Sequence, residues 1–202
     1  MVKRLISSQV FPTVSYSLSD YSLLLRVDSL RQGIVNLDDD IIGPNVVDWG
    51  QELRMLEEAD DVEEVTILIN SCGGEVYAAL SLYDTIKQVA SKKLVKGVVG
   101  GIAASAASMI VLQAATLRLA SPHSTLMIHE PAQWVGEAQT KGQMEDNKAE
   151  IDRIARIVYG IMGVRMGKTI EEVDKLLSRR DIYMGVEKAK EIGLIDEILG
   201  VG

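Results

Sequence analysis

The sequence predicts an α/β architecture built on a largely parallel sheet, and three observations predict it. Short apolar runs carrying β-branched residues recur at Val65 to Ile69, Val95 to Val99 and Thr125 to His129. Around and between them, apolar residues fall at helical spacing, at Val46, Trp49, Leu53 and Leu56 and again at Val76, Ala79, Leu80, Tyr83 and Ile86. Glycine pairs, Gly73 with Gly74 and Gly100 with Gly101, stand just beyond strand ends. Strands that alternate with helices need crossover connections, which favour parallel pairing and place functional groups at the C-terminal ends of strands.

In chain order, Gly33 to Leu37 reads as a strand leading into an acidic turn at Asp38, Asp39 and Asp40. Pro44 suits the first turn of the next helix, where its missing N–H has no intrahelical acceptor to lose. The Val65 strand is closed by Asn70, Ser71, Cys72, Gly73 and Gly74, and the Val76 helix follows. The Val95 strand runs into Gly100 to Ala107, and Met109 to Leu112 continues with helix formers, so Ser105 falls where a strand ends and a helix begins. Further strands are expected at Thr116 to Ala120 and Thr125 to His129. From Gln143 to Met162 an amphipathic helix sets Met144, Ile151, Ile154, Ala155, Val158 and Met162 on one side and Glu145, Asp152, Arg153 and Arg156 largely on another. A helix of that length in a small chain packs into the core or reaches a second subunit, and periodicity allows both. Thr169 and Glu172 have capping-box spacing and open a helix through Leu177. Val186 to Leu199 reads as a short helix ended by Gly193, then an extended apolar segment.

At 202 residues the chain supports one sizeable core, and a single domain over residues 1–202 is expected. An apolar fraction of 47% with 25% charged residues is that of a soluble globular protein. The net charge of -8 argues against nucleic acid as the principal partner. Cys72 is the only cysteine, so no intrachain disulfide forms and a reducing compartment is permitted. Residues 1–17 have no sustained apolar stretch, and the run from Ala103 to Ala115 falls short of the roughly 20 residues that span a bilayer. No membrane partner is expected, and the cytoplasm is the expected compartment.

Ser105 lies among residues too small to hide it, at a helix start whose unpaired N–H groups suit a nucleophile that generates an oxyanion. Tight packing of helix on sheet explains the same small residues equally well. His129 ends an apolar run at the mouth of the core, a sound position for a general base, whereas His123, beside Pro122, reads as a turn residue. No metal or other cofactor is expected, since two histidines without helical i, i+4 spacing and one cysteine make no ligand set. A serine hydroxyl needs a base, and that base is best oriented by a carboxylate. Asp181 is one candidate, and a salt bridge to Arg179 or Arg180 is its simpler role. The Gly73–Gly74 turn offers close backbone approach but lacks the Lys-Ser or Lys-Thr pair of a phosphate-binding loop. Cys72 lacks a clear activating environment.

These residues together resemble the proteolytic-subunit family of the Clp protease, serine peptidases of the ClpP/crotonase fold. The resemblance runs in order from about Gly33 to Leu199. It covers Ile69 to Gly74, Tyr83 to Thr85, Gly101 to Ser105, Met127 to Pro131, Arg180 with Asp181, and Gly193 to Asp196. It implies repeated β-β-α units with a protruding handle (residues 132–165, a strand and a helix) and a divergent N-terminal segment (residues 1–31). It further implies Ser105 as nucleophile, His129 as general base and acid, Asp181 as the residue orienting His129, and an oxyanion hole from the backbone N–H groups of Gly74 and Ala106. Ser108 is the rival nucleophile, about one turn further along the helix. The implied partners are polypeptide substrates, further copies of the chain in two stacked heptameric rings, and an AAA+ unfoldase.

Several positions depart from the family pattern. Cys72 replaces a proline, and the glycine-rich segment after His129 becomes Ala132, Gln133, Trp134, Val135 and Gly136. Thr66, Leu68 and Gln88 take positions where the family carries aromatic residues that anchor the unfoldase, which reduces the apolar anchor area. Two other readings remain at this stage: a catalytically weak or structural ring subunit, and a crotonase-like acyl-CoA enzyme that uses an oxyanion hole without a serine.

Overall fold

The computed structural model describes residues 18–132 and 138–200. The element order is α1 (Leu18–Arg31), β1 (Ile34–Leu37), α2 (Gly43–Glu58), β2 (Glu64–Ser71), α3 (Val76–Ala90) and β3 (Leu94–Ala104). A π-helical turn, Ala107–Val111, then runs into one α-turn, Leu112–Ala114, together α4. There follow β4 (Leu117–Ala120), β5 (Thr125–His129), α5 (Lys141–Met166), α6 (Ile170–Leu177), β6 (Asp181–Gly185), α7 (Val186–Glu191) and β7 (Glu197–Ile198).

The strands form one seven-stranded sheet in the order β1-β2-β3-β4-β7, with β5 and β6 branching from β3. Every pairing is parallel except that of β5 with β6. The branch arises because β3 is long enough to serve two partners. Lys96 to Val99 pair with β4, and Ile102 to Ala104 pair with β5. The sequence signals ended this strand at Val99, and the structure carries it five residues further.

The bend between the two halves of β3 has a local cause. On β2, Ile69 and Ser71 pair with Val99 and Ala103, so two steps on one strand match four on the other. The Asn70 side chain fills the gap by accepting from the Ile102 N–H (3.2 Å), and the Ser124 hydroxyl accepts from the Gly101 N–H (3.2 Å). Gly101 sits at φ +106, and a Cβ there would stand 2.6 Å from Asn70 Oδ1, so glycine is required.

Helices cover the sheet largely through the apolar faces that the sequence marks, although in α3 the buried face is rotated onto Leu82 and Val89 and leaves Val76, Leu80 and Tyr83 half-buried. Trp49, Leu53 and Leu56 of α2, Ala79, Leu82 and Ile86 of α3, and Ile110 and Leu112 of α4 are buried. Full burial of a side chain such as Leu112 contributes about 2 kcal/mol. Helix α5 begins at a Thr140–Gln143 capping box and ends on Gly167 at φ +63. Its apolar stripe is buried only from Ile154 onward, while Met144 near its start is 55% exposed. Ile154, Val158 and Met162 therefore pack into the core, and the first turns of α5 stand clear of it. Helix α1 was not signalled by the sequence, because Leu23, Leu24 and Leu25 are consecutive rather than helically spaced; all three are exposed. The expected handle strand and the Gln133 to Gly136 segment lie outside the described residues, as does the N-terminal segment up to residue 17. No helix among the described residues is long and apolar enough to cross a membrane.

Candidate active site

Ser105 occupies the turn between β3 and α4 and is held at φ +53, in the left-handed region. A non-glycine residue there costs about 1–3 kcal/mol, and the surrounding contacts enforce it. Its N–H donates to the Met127 carbonyl of β5 (3.0 Å), and its own carbonyl accepts from the N–H groups of Ser108 (3.1 Å) and Met109 (2.9 Å). The helix that follows opens with a π-turn rather than the regular α-helix expected from its alanine-rich sequence. The sharp strand-to-helix turn turns the Ser105 side chain outward, half-buried, as the serine of a nucleophile elbow is displayed.

His129 is the last residue of β5, the neighbour of β3, so parallel pairing brings its ring to the Ser105 turn. Ser105 Oγ lies 2.7 Å from His129 Nε2, within hydrogen-bond reach. With Nε2 engaged, Nδ1 is the nitrogen left for an orienting carboxylate.

Asp181 opens β6, and the antiparallel register sets it directly opposite His129. Opposed residues in such a pair project to the same face of the sheet with Cβ atoms roughly 5 Å apart. Among the described residues no hydrogen bond joins the two side chains, and Asp181 is exposed. The simpler expectation for Asp181, a salt bridge to Arg179 or Arg180, is not met either: neither arginine pairs with it among the described residues.

Ser108, the rival serine, has different surroundings. It is wholly buried, and its hydroxyl donates to the carbonyls of Ser105 and Met127. It therefore ties the Ser105 turn to β5 and has no open side toward a substrate.

The Gly73–Gly74 turn is pressed between two backbones. A Cβ on Gly73 would stand 2.6 Å from the Ala104 carbonyl and 2.9 Å from the Ala106 N–H, and one on Gly74 would stand 2.4 Å from the Ile41 carbonyl. The Ser71 hydroxyl accepts from the Gly73 N–H (3.1 Å), and Ile41 pairs with Gly74 as an isolated parallel bridge. No turn or loop hydrogen bond among the described residues uses the N–H of Gly74 or of Ala106. Both residues line the same cleft as Ser105 and His129. Cys72, the residue before this turn, is free and exposed.

The cleft has a volume of about 240 Å³. Met109, Ile110, Ile154 and Val158 give it an apolar floor, and Glu75, Tyr77 and Glu150 bring polar atoms to it. A serine hydroxyl within hydrogen-bond reach of a histidine, two backbone amides and an apolar recess line one cleft, an arrangement compatible with acyl transfer. Behind it, on the far side of α4, lies a buried polar network that the sequence did not single out. Arg118 is only 4% exposed and reaches Asp196, Gln113 Oε1 (2.8 Å) and the Gly193 carbonyl (2.6 Å), while Gln113 Nε2 donates to the Ser108 carbonyl (2.7 Å). Thr66 and Leu68 share the outward face of β2; Gln88 on α3 is exposed and donates to Glu57 (3.0 Å).

Comparison with known proteins agrees with this geometry. A sequence profile of the family described as Clp protease matches residues 21–201. The chain is 37% identical over 150 residues to the ATP-dependent Clp protease proteolytic subunit of Bacteroides fragilis, covering 73% of this chain and 70% of that one. It is 32% identical over 202 residues to the protein of the same name from Porphyromonas gingivalis, covering 97% and 87%. A solved structure of a ClpP1 mutant from Listeria monocytogenes superposes with a TM-score of 0.76 at 29% identity, over 87% of this chain and 95% of that one. With its parallel sheet, its strand-to-helix serine and this likeness along nearly its whole length, the chain belongs to the Clp protease family, as a proteolytic subunit of the ClpP type.

Proposed function

We propose that this chain is a serine endopeptidase in which Ser105 attacks the peptide carbonyl and His129 Nε2 takes the Ser105 proton. The observation that carries the reading is the 2.7 Å approach of Ser105 Oγ to His129 Nε2 at a strained turn inside a cleft. The negative charge that develops on the carbonyl oxygen is held by the N–H groups of Gly74 and Ala106. His129 then passes the proton to the leaving amine, and a water activated by the same ring hydrolyses the acyl-enzyme. Asp181 acts on Nδ1 once its carboxylate turns onto the ring, a movement we assign to assembly or substrate binding, when catalytic hydrogen bonds tighten. The exposed start of α5 supports a subunit contact, in keeping with two stacked heptameric rings that enclose the sites in the cytoplasm. An AAA+ unfoldase supplies the unfolded polypeptide, and with Thr66, Leu68 and Gln88 on the docking face its apolar anchorage is reduced.

Labelling of the assembled protein with a fluorophosphonate, followed by mass spectrometry of the adduct, tests the assignment. The label is expected on Ser105 and is expected to vanish in His129→Ala. A label on Ser108 overturns it. The disengaged Asp181 favours one competing reading, a weak subunit that depends on an active paralogue, and absence of label in a confirmed assembly would establish that reading instead.

A further inference from the structure

The cleft beside Ser105 is walled by two helices that meet through side chains at its mouth. On one wall, α5 presents Val158 and Ile154 buried, Ile151 half-buried and Glu150 at the rim. On the other, the first turn of α3 presents Val76, half-buried, and Tyr77, which is 57% exposed. The Tyr77 hydroxyl donates to Glu150 Oε1. Arg153, one turn further along α5, donates to both oxygens of the same carboxylate at 2.7 Å.

Each partner has a distinct effect on the mouth. Arg153 matches the charge of Glu150, so this carboxylate is not free to attract a cationic side chain. The hydrogen bond to Glu150 favours one placement of the Tyr77 ring at the mouth of the cleft. A charge-matched carboxylate and a ring placed at the mouth select by size rather than by charge.

We propose that Tyr77, held by Glu150, is a specificity-determining residue whose ring limits the substrate side chain that lodges beside the bond attacked by Ser105. The inference rests on the reading of Ser105 as the attacking group. The favoured substrates are peptides with a compact aliphatic side chain at that position, because the floor of Met109, Ile110, Ile154 and Val158 is apolar and the mouth is narrowed. Bulky bicyclic side chains are disfavoured while the ring is held.

The experiment uses the assembled protein and two fluorogenic peptides that differ only in carrying Leu or Trp immediately before the scissile bond. The ratio of their kcat/KM values is read on a single preparation, so a loss of assembled or active protein cancels. The parent is expected to favour Leu, and Tyr77→Phe and Glu150→Ala are each expected to lower the ratio by about fivefold or more. Glu150→Gln keeps an acceptor oxygen for Tyr77 and is expected to hold the ratio near that of the parent. The double variant Tyr77→Phe with Glu150→Ala is expected to match the single variants, because both break one contact. An unchanged ratio in both Tyr77→Phe and Glu150→Ala overturns the inference while leaving the Ser105 reading intact. A parent that cleaves neither peptide and takes no label on Ser105 removes the Ser105 reading, and this inference with it.

Discussion

The two ends of helix α4 carry two polar clusters built from similar materials, and only one of them is open. At the N-terminal end, Ser105 sits at positive φ beside a histidine, with two amides that no turn or loop bond uses and a cross-strand carboxylate without a side-chain partner among the described residues. At the C-terminal end, Arg118 uses four of its five side-chain N–H groups, on Asp196, Gln113 and the Gly193 carbonyl, and it is almost wholly buried. Arg165 shares the same aspartate at 3.9 Å and donates to the Ala115 carbonyl (2.9 Å), while its buried Nε has no hydrogen-bond partner among the described residues. The buried cluster braces the C-terminal end of the helix, and the N-terminal one faces the cleft. Ser108 and Gln113 connect them, since Ser108 bonds to the Ser105 carbonyl while its own carbonyl accepts from Gln113.

The sharpest way to break this comparison is to remove one oxygen from each serine. Ser105→Ala is expected to lower kcat by about 10⁴-fold or more with little change in the melting temperature. Ser108→Ala removes a buried hydroxyl donor and is expected to cost about 1–2 kcal/mol of stability, with a loss in kcat below about tenfold. The pair is checked by peptide hydrolysis and thermal melts of the same samples; the reverse pattern would exchange the roles assigned to the two residues. At the closed end, Asp196→Ala leaves Arg118 buried and uncompensated. The expected cost is about 3 kcal/mol, toward the low end for a buried pair because Asp196 keeps 32% of its side chain exposed. Denaturant unfolding measures it, and a loss of activity without a loss of stability would mean that the network serves the site directly.

The sequence carried the open cluster better than the closed one, for physical reasons. Short-range patterns mark strand ends, glycine turns and capping boxes, so Ser105, His129, Gly74 and the Thr169 cap were all legible along the chain. The placement of Asp181 opposite His129 depends on the antiparallel return of β6, a pairing between distant segments that no local pattern encodes. Arg118 reads locally as one basic residue in a short strand, and Gln113 as a polar interruption in an apolar run. Only the fold brings the Gly193 carbonyl and Asp196 to them. The extension of β3 through Ala104 was hidden for a related reason: Gly100 and Gly101 look like a turn, yet the Asn70 side chain bridges the bulge and the strand resumes. Ser108 could be set below Ser105 only by family resemblance until its burial and its two carbonyl partners were visible.

The smallest expected effect separates the two clusters by acid. Burial alone would push the Asp196 carboxyl up, but hydrogen bonds and charge from Arg118, with charge from Arg165, hold it below the usual carboxylate range. The unfolded chain takes up that proton near its ordinary value of about 3.9, so at and below that pH the unfolded state binds more protons than the folded one. The contribution of Asp196 is then full above about pH 5 and is lost as pH falls through 4 toward the lower folded value. Glu150, held at about 2 by Arg153 and Tyr77, is charged in the folded state over most of this window and affects parent and variant alike. Thermal melts of the parent and Asp196→Asn between pH 7 and pH 3 should therefore show a gap in melting temperature that is constant above about pH 5 and narrows as pH falls through 4. A gap that stays constant to pH 3 would mean that the aspartate charge contributes nothing at the closed end, and that the neutral hydrogen bonds of Arg118 to Gln113 and the Gly193 carbonyl hold the helix by themselves.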